Sequence, residues 1–148
     1  MNKQCVDGFI IVAFLQNLWV KDPQRIQKIL DGHDDKFRRA LLKRLLFAGG
    51  LTGKRLRSAF GNLCEQIIWD EASREIAGVS SGICQPDLAH IKNVLDTYKP
   101  NVVVVFGNIA RDAVVPLWSG ELICLPHPAA RQADVMDRLR QGAERLRQ

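Results

Sequence analysis

The stretch Lys99-Pro-Asn-Val-Val-Val-Val-Phe-Gly-Asn-Ile-Ala110 joins a helix break, an unbroken apolar run and a tight turn. Val102 to Phe106 is apolar at every position and β-branched at all but the last, too short for a buried helix. It reads as a strand covered on both faces. Pro100 cannot continue the preceding helix, and Gly107 permits the sharp turn into a following one through Ala110 and Ala113.

The same punctuation recurs in both directions. Toward the N-terminus, Pro86 is expected to open a helix with Leu88, Ile91, Leu95 and Tyr98 on one face. A polar loop from about Ser73 to Gly82 precedes it, after a short strand, Gln66–Trp69. Phe9–Phe14 reads as the first strand. Asp22-Pro23 gives an N-cap and first-turn proline for a helix with an Ile26, Ile29, Leu30 stripe. A second helix starts near Asp34-Asp35, carries Phe37, Leu41, Leu45 and Ala48, and stops at Gly49-Gly50. Thr52 is expected to cap a third, which bears Leu56, Ala59 and Phe60 and ends at Gly61. Toward the C-terminus come a last strand, Leu122–Leu125, and a basic amphipathic helix from about Gln132. The alternation predicts one α/β domain over residues 1–148, a three-layer α/β/α sandwich around a four-stranded parallel sheet.

Composition agrees with a globular domain: 47% apolar and 25% charged residues over 148 positions. No apolar run approaches the roughly 20 residues needed to span a bilayer, so no membrane partner is expected. The Phe9–Phe14 run lacks a following small-residue cleavage site and reads as core, not as a signal peptide, which makes the cytoplasm the default location. Cys5, Cys64, Cys84 and Cys124 stand singly. Metal sites usually carry a close cysteine pair, so buried free thiols are expected, with no metal and no other cofactor.

The net charge of +5 is unevenly distributed. Eight basic residues and no acid fall between Lys36 and Arg57: Lys36, Arg38, Arg39, Lys43, Arg44, Lys54, Arg55 and Arg57. Such a block attracts polyanions, or else forms a solvated face balanced by acids elsewhere in the fold.

Ligands of open parallel sheets gather at the carboxyl ends of the strands. Three such ends carry polar residues: Gln16-Asn17-Leu18-Trp19, Asp70-Glu71 and Pro126-His127-Pro128. His127, held between two prolines, is either a donor aimed at developing negative charge or a loop histidine bonded to backbone. No Gly-x-Gly-x-x-Gly turn follows a strand, the Gly49–Lys54 glycines have the wrong spacing for a triphosphate loop, and no Gly-x-Ser-x-Gly elbow occurs.

Four segments, in order, resemble the uracil-DNA glycosylase superfamily. Leu51-Thr-Gly-Lys-Arg-Leu-Arg57 is similar to its S-G-x-x-L helix. Cys84 to Ala113, with Leu88, Lys99-Pro100, Val102–Val105, Gly107 and Ala110, is similar to the stretch C-x-x-x-L…K-P-x-x-v-v-x-x-G-x-x-A. Leu125-Pro-His-Pro-Ala129 resembles the second catalytic motif, H-P-S or H-P-A. The first motif, G-Q-D-P-Y, can be laid on Leu15 to Trp19, with Leu15 and Leu18 in place of its glycine and proline.

The resemblance implies a glycosylase that flips a damaged or deaminated base out of DNA and hydrolyses its N-glycosidic bond. It implies roles residue by residue. Asn17 would orient water and His127 would stabilise charge on the leaving base. Phe14 or Trp19 would stack on the base beside Gln16. Asp70 or Glu71 stands where the family has a base-reading Asn. Arg131 and the basic block (Arg38, Arg39, Lys43, Lys54 and Arg55) would contact DNA. It leaves open a catalytically silent relative that binds nucleic acid or a nucleobase-like ligand.

Overall fold

The structure is a computed structural model and describes residues 8–79 and 82–148; Cys5 lies outside them. Four strands, β1 (Ile11–Leu15), β2 (Ile68–Glu71), β3 (Val102–Phe106) and β4 (Glu121–Leu125), form one all-parallel sheet in the order β2-β1-β3-β4. Helices cover both faces, giving the three-layer α/β/α sandwich. They are α1 (Pro23–Asp31), α2 (Asp35–Leu46), α3 (Leu51–Phe60), α4 (Leu63–Gln66), α5 (Leu88–Tyr98), α6 (Asn108–Val114) and α7 (Val135–Arg147). Among the described residues, no helix is long and apolar enough to cross a membrane.

Successive residues of a strand point to opposite faces, so each strand feeds two cores. Ala13, Leu15, Trp69, Val104, Phe106 and Ile123 face the layer built by α3, α4 and α7. Val12, Phe14, Val103 and Val105 face α5 and α6. The first core is aromatic: Trp69 stacks on Phe106 at 5.9 Å between centroids, and Phe60 meets Trp69 edge-on at 6.3 Å.

The structure moves several boundaries. β1 and β2 begin two residues later than the sequence suggests, which puts Asp70 and Glu71 inside β2 instead of after it. In α2 the buried face is Arg38, Leu42 and Leu46, one residue out of register with the expected stripe, and Phe37 is exposed. In α1 only Leu30 is buried, and in α5 Leu88 is exposed while Val94 joins the core. Asp87, not Pro86, caps α5, its side chain accepting from the His90 N–H at 3.0 Å. α4 was not foreseen, and α7 starts at Val135. Of the described cysteines only Cys64 is buried, Cys84 being half-buried and Cys124 exposed.

Two glycines matter to the site. Gly107, at φ +90°, turns β3 into α6, a conformation L side chains rarely adopt. Gly53 lets α3 approach α2, since a Cβ there would meet the Leu46 carbonyl oxygen at 2.3 Å. That neighbour is backbone and cannot swing aside. Gly53→Ala is therefore expected to force the helices apart and destabilise by about 1–3 kcal/mol, read as a lowered urea midpoint with unchanged slope.

Candidate functional site

At the carboxyl end of the sheet lies a cavity of about 510 Å³, within the usual size for small-ligand sites. Its walls come from the β1 exit Leu15–Trp19, the end of α2, the start of α3 at Gly50–Gly53, Gly82 ahead of α5, and the β4–α7 loop with His127 and Ala129. Glu71 of β2 completes it. Gln16, Asn17, Trp19, Glu71 and His127 thus meet in one space, although they are spread from position 16 to 127.

Strand parity separates the two carboxylates. Leu15 pairs with Glu71 and Phe14 with Asp70 in the β1–β2 ladder. Glu71 therefore shares the cavity side of the sheet with Leu15. Asp70 points the other way and does not reach the cavity. It accepts from Arg39 Nε at 3.0 Å, His90 Nε2 at 2.9 Å and the Glu71 N–H at 2.8 Å. Phe14, 0% exposed, also belongs to the opposite core and is removed as a stacking residue. Trp19, 46% exposed at the cavity wall, is the aromatic that remains.

His127 is held from three directions. Its Nδ1 accepts from the Ala129 N–H at 3.0 Å. The neutral ring therefore carries its proton on Nε2, which no group among the described residues engages. Burial pushes its pKa below the ordinary histidine value, favouring this uncharged donor. Gly107 backs it, its missing Cβ lying 3.4 Å from that of His127. Arg55 of α3 donates to the carbonyls of Pro128 at 2.8 Å and Ala130 at 3.0 Å, clamping the loop. His127 also borders a second, shallower groove of about 330 Å³ with Arg111 and Arg138.

Asn17 is engaged otherwise than the resemblance implies. Its amide donates to Leu18 O at 3.1 Å and Gly82 O at 3.3 Å and accepts from the Cys84 N–H at 3.1 Å. It pins the β1 exit to a distant loop, and both N–H directions that could orient a water are committed.

The basic block divides. Arg38, only 4% exposed, bonds Asp31 at 3.4 Å and the Arg74 carbonyl at 3.4 Å, so it cannot reach a phosphate. Arg39 is committed to Asp70 and, at 2.7 Å, to the Tyr98 hydroxyl. Lys43 pairs with Glu65 at 3.2 Å, and Arg57 lies over the Phe47 ring at 4.7 Å. Lys36, Arg44, Lys54 and, outside the block, Arg131 are exposed.

Sequence reasoning missed the start of α3 as a cavity wall. The helix begins after Gly50 with no side-chain cap, so its unpaired N–H groups and positive end lie at the cavity. Gly49-Gly50 was the available signal. Among the described residues no group of three His, Cys, Asp or Glu side chains could hold a metal ion. Burial pushes the Cys64 thiol up to about 11, which removes it as a nucleophile. No protein-family model matches the chain, and no curated protein matches it significantly.

Proposed function

We propose that the chain is a divergent relative of the uracil-DNA glycosylase superfamily that hydrolyses the N-glycosidic bond of a damaged or deaminated base flipped out of DNA. The observation that carries this reading is His127, held as an uncharged Nε2–H donor at the wall of a cavity roomy enough for a flipped base. In the reaction the flipped base stacks on Trp19, and its carbonyl oxygen accepts from His127 Nε2–H. The C1′–N bond breaks with its electron pair moving onto the base. Water adds hydroxide to C1′, and its proton passes to the departing base or to solvent. The positive end of α3 favours the same developing charge.

The test is incubation with labelled oligonucleotides carrying uracil, hypoxanthine or xanthine, followed by alkaline cleavage at abasic sites. Strand cleavage is expected on at least one of them. A second reading, a catalytically silent nucleobase binder, is favoured by the commitment of the Asn17 amide to Leu18, Gly82 and Cys84. Binding to a damaged base with no abasic product on any of the three oligonucleotides would select it.

The phosphate contacts of this reading fall to exposed cations near the cavity, Lys54 and Arg131. The double reversal Lys54→Glu, Arg131→Glu is expected to weaken binding of every DNA sequence alike. It should flatten the log K against log salt slope by about 2, measured by fluorescence anisotropy. An unchanged slope would remove this face from the DNA interface.

A further inference from the structure

Among the described residues, two buried side-chain polar atoms lack a hydrogen-bond partner: Gln16 Nε2 and Glu71 Oε1. Both residues line the same cavity. They sit side by side in the chain's topology, Glu71 opposite Leu15 in the ladder and the Ser73 N–H bonded to the Gln16 carbonyl at 3.0 Å. Nearby buried polar groups are satisfied, Asp70 by Arg39, His90 and the Glu71 N–H, and Trp69 Nε1 by the Cys64 carbonyl at 3.0 Å. Both unpaired atoms therefore belong to residues that line the cavity, where a bound ligand can supply the missing partners.

Resting on the nucleobase reading, we propose that Glu71 is the specificity-determining group of the cavity and works as an un-ionised carboxyl, presenting O–H and C=O beside the Gln16 amide to a neutral heterocycle with adjacent N–H and C=O groups. An ionised carboxylate would only accept and would repel the ring's carbonyl oxygen. A carboxylic acid offers a donor and an acceptor side by side, as an amide does. The Gln16 amide offers both whichever way it is turned.

The charges around Glu71 fit this state. From β2 itself, Asp70 is a neighbouring negative charge. From α2, Arg39 is bonded to Asp70 and Lys43 to Glu65. From α3, Arg55 is bonded to loop carbonyls, and the β1 exit contributes no ionisable group to the cavity. From the β4–α7 loop, His127 is a neutral ring. Among the described residues none of these cations pairs with Glu71, and Lys54 and Arg131 are exposed to solvent. Burial at 4% exposure, and then the charge of Asp70, push its carboxyl well above the usual carboxylate range. The cavity thus takes an uncharged ring, with no phosphate at its floor.

The test is calorimetric titration of the full chain with uracil, hypoxanthine and 1,3-dimethyluracil, using wild type, Glu71→Gln and Glu71→Ala. It is accompanied by the ¹³C shift of the Glu71 carboxyl at pH 7, assigned by its loss in Glu71→Gln. The expected results are an un-ionised carboxyl and binding of uracil or hypoxanthine, with affinity lower by at least about tenfold for 1,3-dimethyluracil, whose two N–H groups are both blocked. Glu71→Gln, which keeps donor and acceptor, should bind within a few-fold of wild type, and Glu71→Ala should lose about tenfold or more. An ionised carboxyl at pH 7, equal binding of 1,3-dimethyluracil, or wild-type affinity in Glu71→Ala would overturn the proposal. Binding of free base by a protein that leaves oligonucleotides uncut would overturn the excision reading alone.

Discussion

Asp70→Ala is expected to cost about 3–5 kcal/mol of stability, the range for removing one partner of a buried ion pair. The carboxylate is 3% exposed and joins three elements: Arg39 of α2, His90 of α5 and the backbone of β2 itself. Arg74 donates to His90 Nδ1 at 3.2 Å, which fixes the His90 proton on Nε2, pointing it at Asp70. Alanine would strand the Arg39 guanidinium, the Nε2–H and the Glu71 N–H at once. Asp70→Asn keeps an acceptor for the latter two and should lose less.

The pH dependence has a definite sign. Burial alone would push the Asp70 carboxyl up. The His90 hydrogen bond and the positive charge of Arg39 outweigh it and hold the carboxyl below its ordinary value. A depressed folded value means stability that is present above the unfolded value, about 3.9, and lost as pH falls through the folded one. Urea unfolding followed by tryptophan fluorescence should show the wild-type advantage over Asp70→Asn at pH 7 and its shrinkage on acidification below pH 4. Equal midpoints at pH 7 would mean that the network contributes nothing.

The second large effect falls on catalysis. His127→Ala is expected to slow single-turnover excision by about 10²–10³-fold, the usual cost of deleting one donor to a developing anion. Stability should change little, because His127 is half-buried and its only side-chain hydrogen bond among the described residues is to the Ala129 N–H. His127→Gln, which keeps an N–H donor, should recover part of the rate. With the ring pKa held below the ordinary histidine value by burial, the wild-type rate should be flat from about pH 7.5 upward, since the working form is neutral. A His127→Ala rate within a few-fold of wild type would take this residue out of the reaction.

The sequence specified the sheet well because its strands are short apolar runs bounded by Pro, Asn and Gly; Val102–Phe106 was located to the residue. It failed on β2, where the buried edge strand runs straight into acidic residues. A one-residue slip there exchanges the faces of Asp70 and Glu71, and only the pairing with Leu15 and Phe14 resolves it. The α2 stripe slipped for a related reason: Arg38 occupies a buried position because Asp31 and the Arg74 carbonyl receive it. Basicity misled in the same way. Arg39 and Arg55 read as polyanion contacts but hold an internal ion pair and the His127 loop, bonds made to residues 31 and 73 positions away. Asn17 is engaged by Gly82 and Cys84, 65 and 67 residues away, and nothing local announces it.

The most direct test of the central claim, that this cavity is a nucleobase site, is a crystal structure of the protein soaked with uracil or hypoxanthine. The expected result is a ring in the cavity, flat against Trp19, with a carbonyl oxygen on His127 Nε2 and its N–H/C=O edge on Glu71 and Gln16. A vacant cavity at saturating base, or a ring bound instead in the groove beside Arg111 and Arg138, would contradict it.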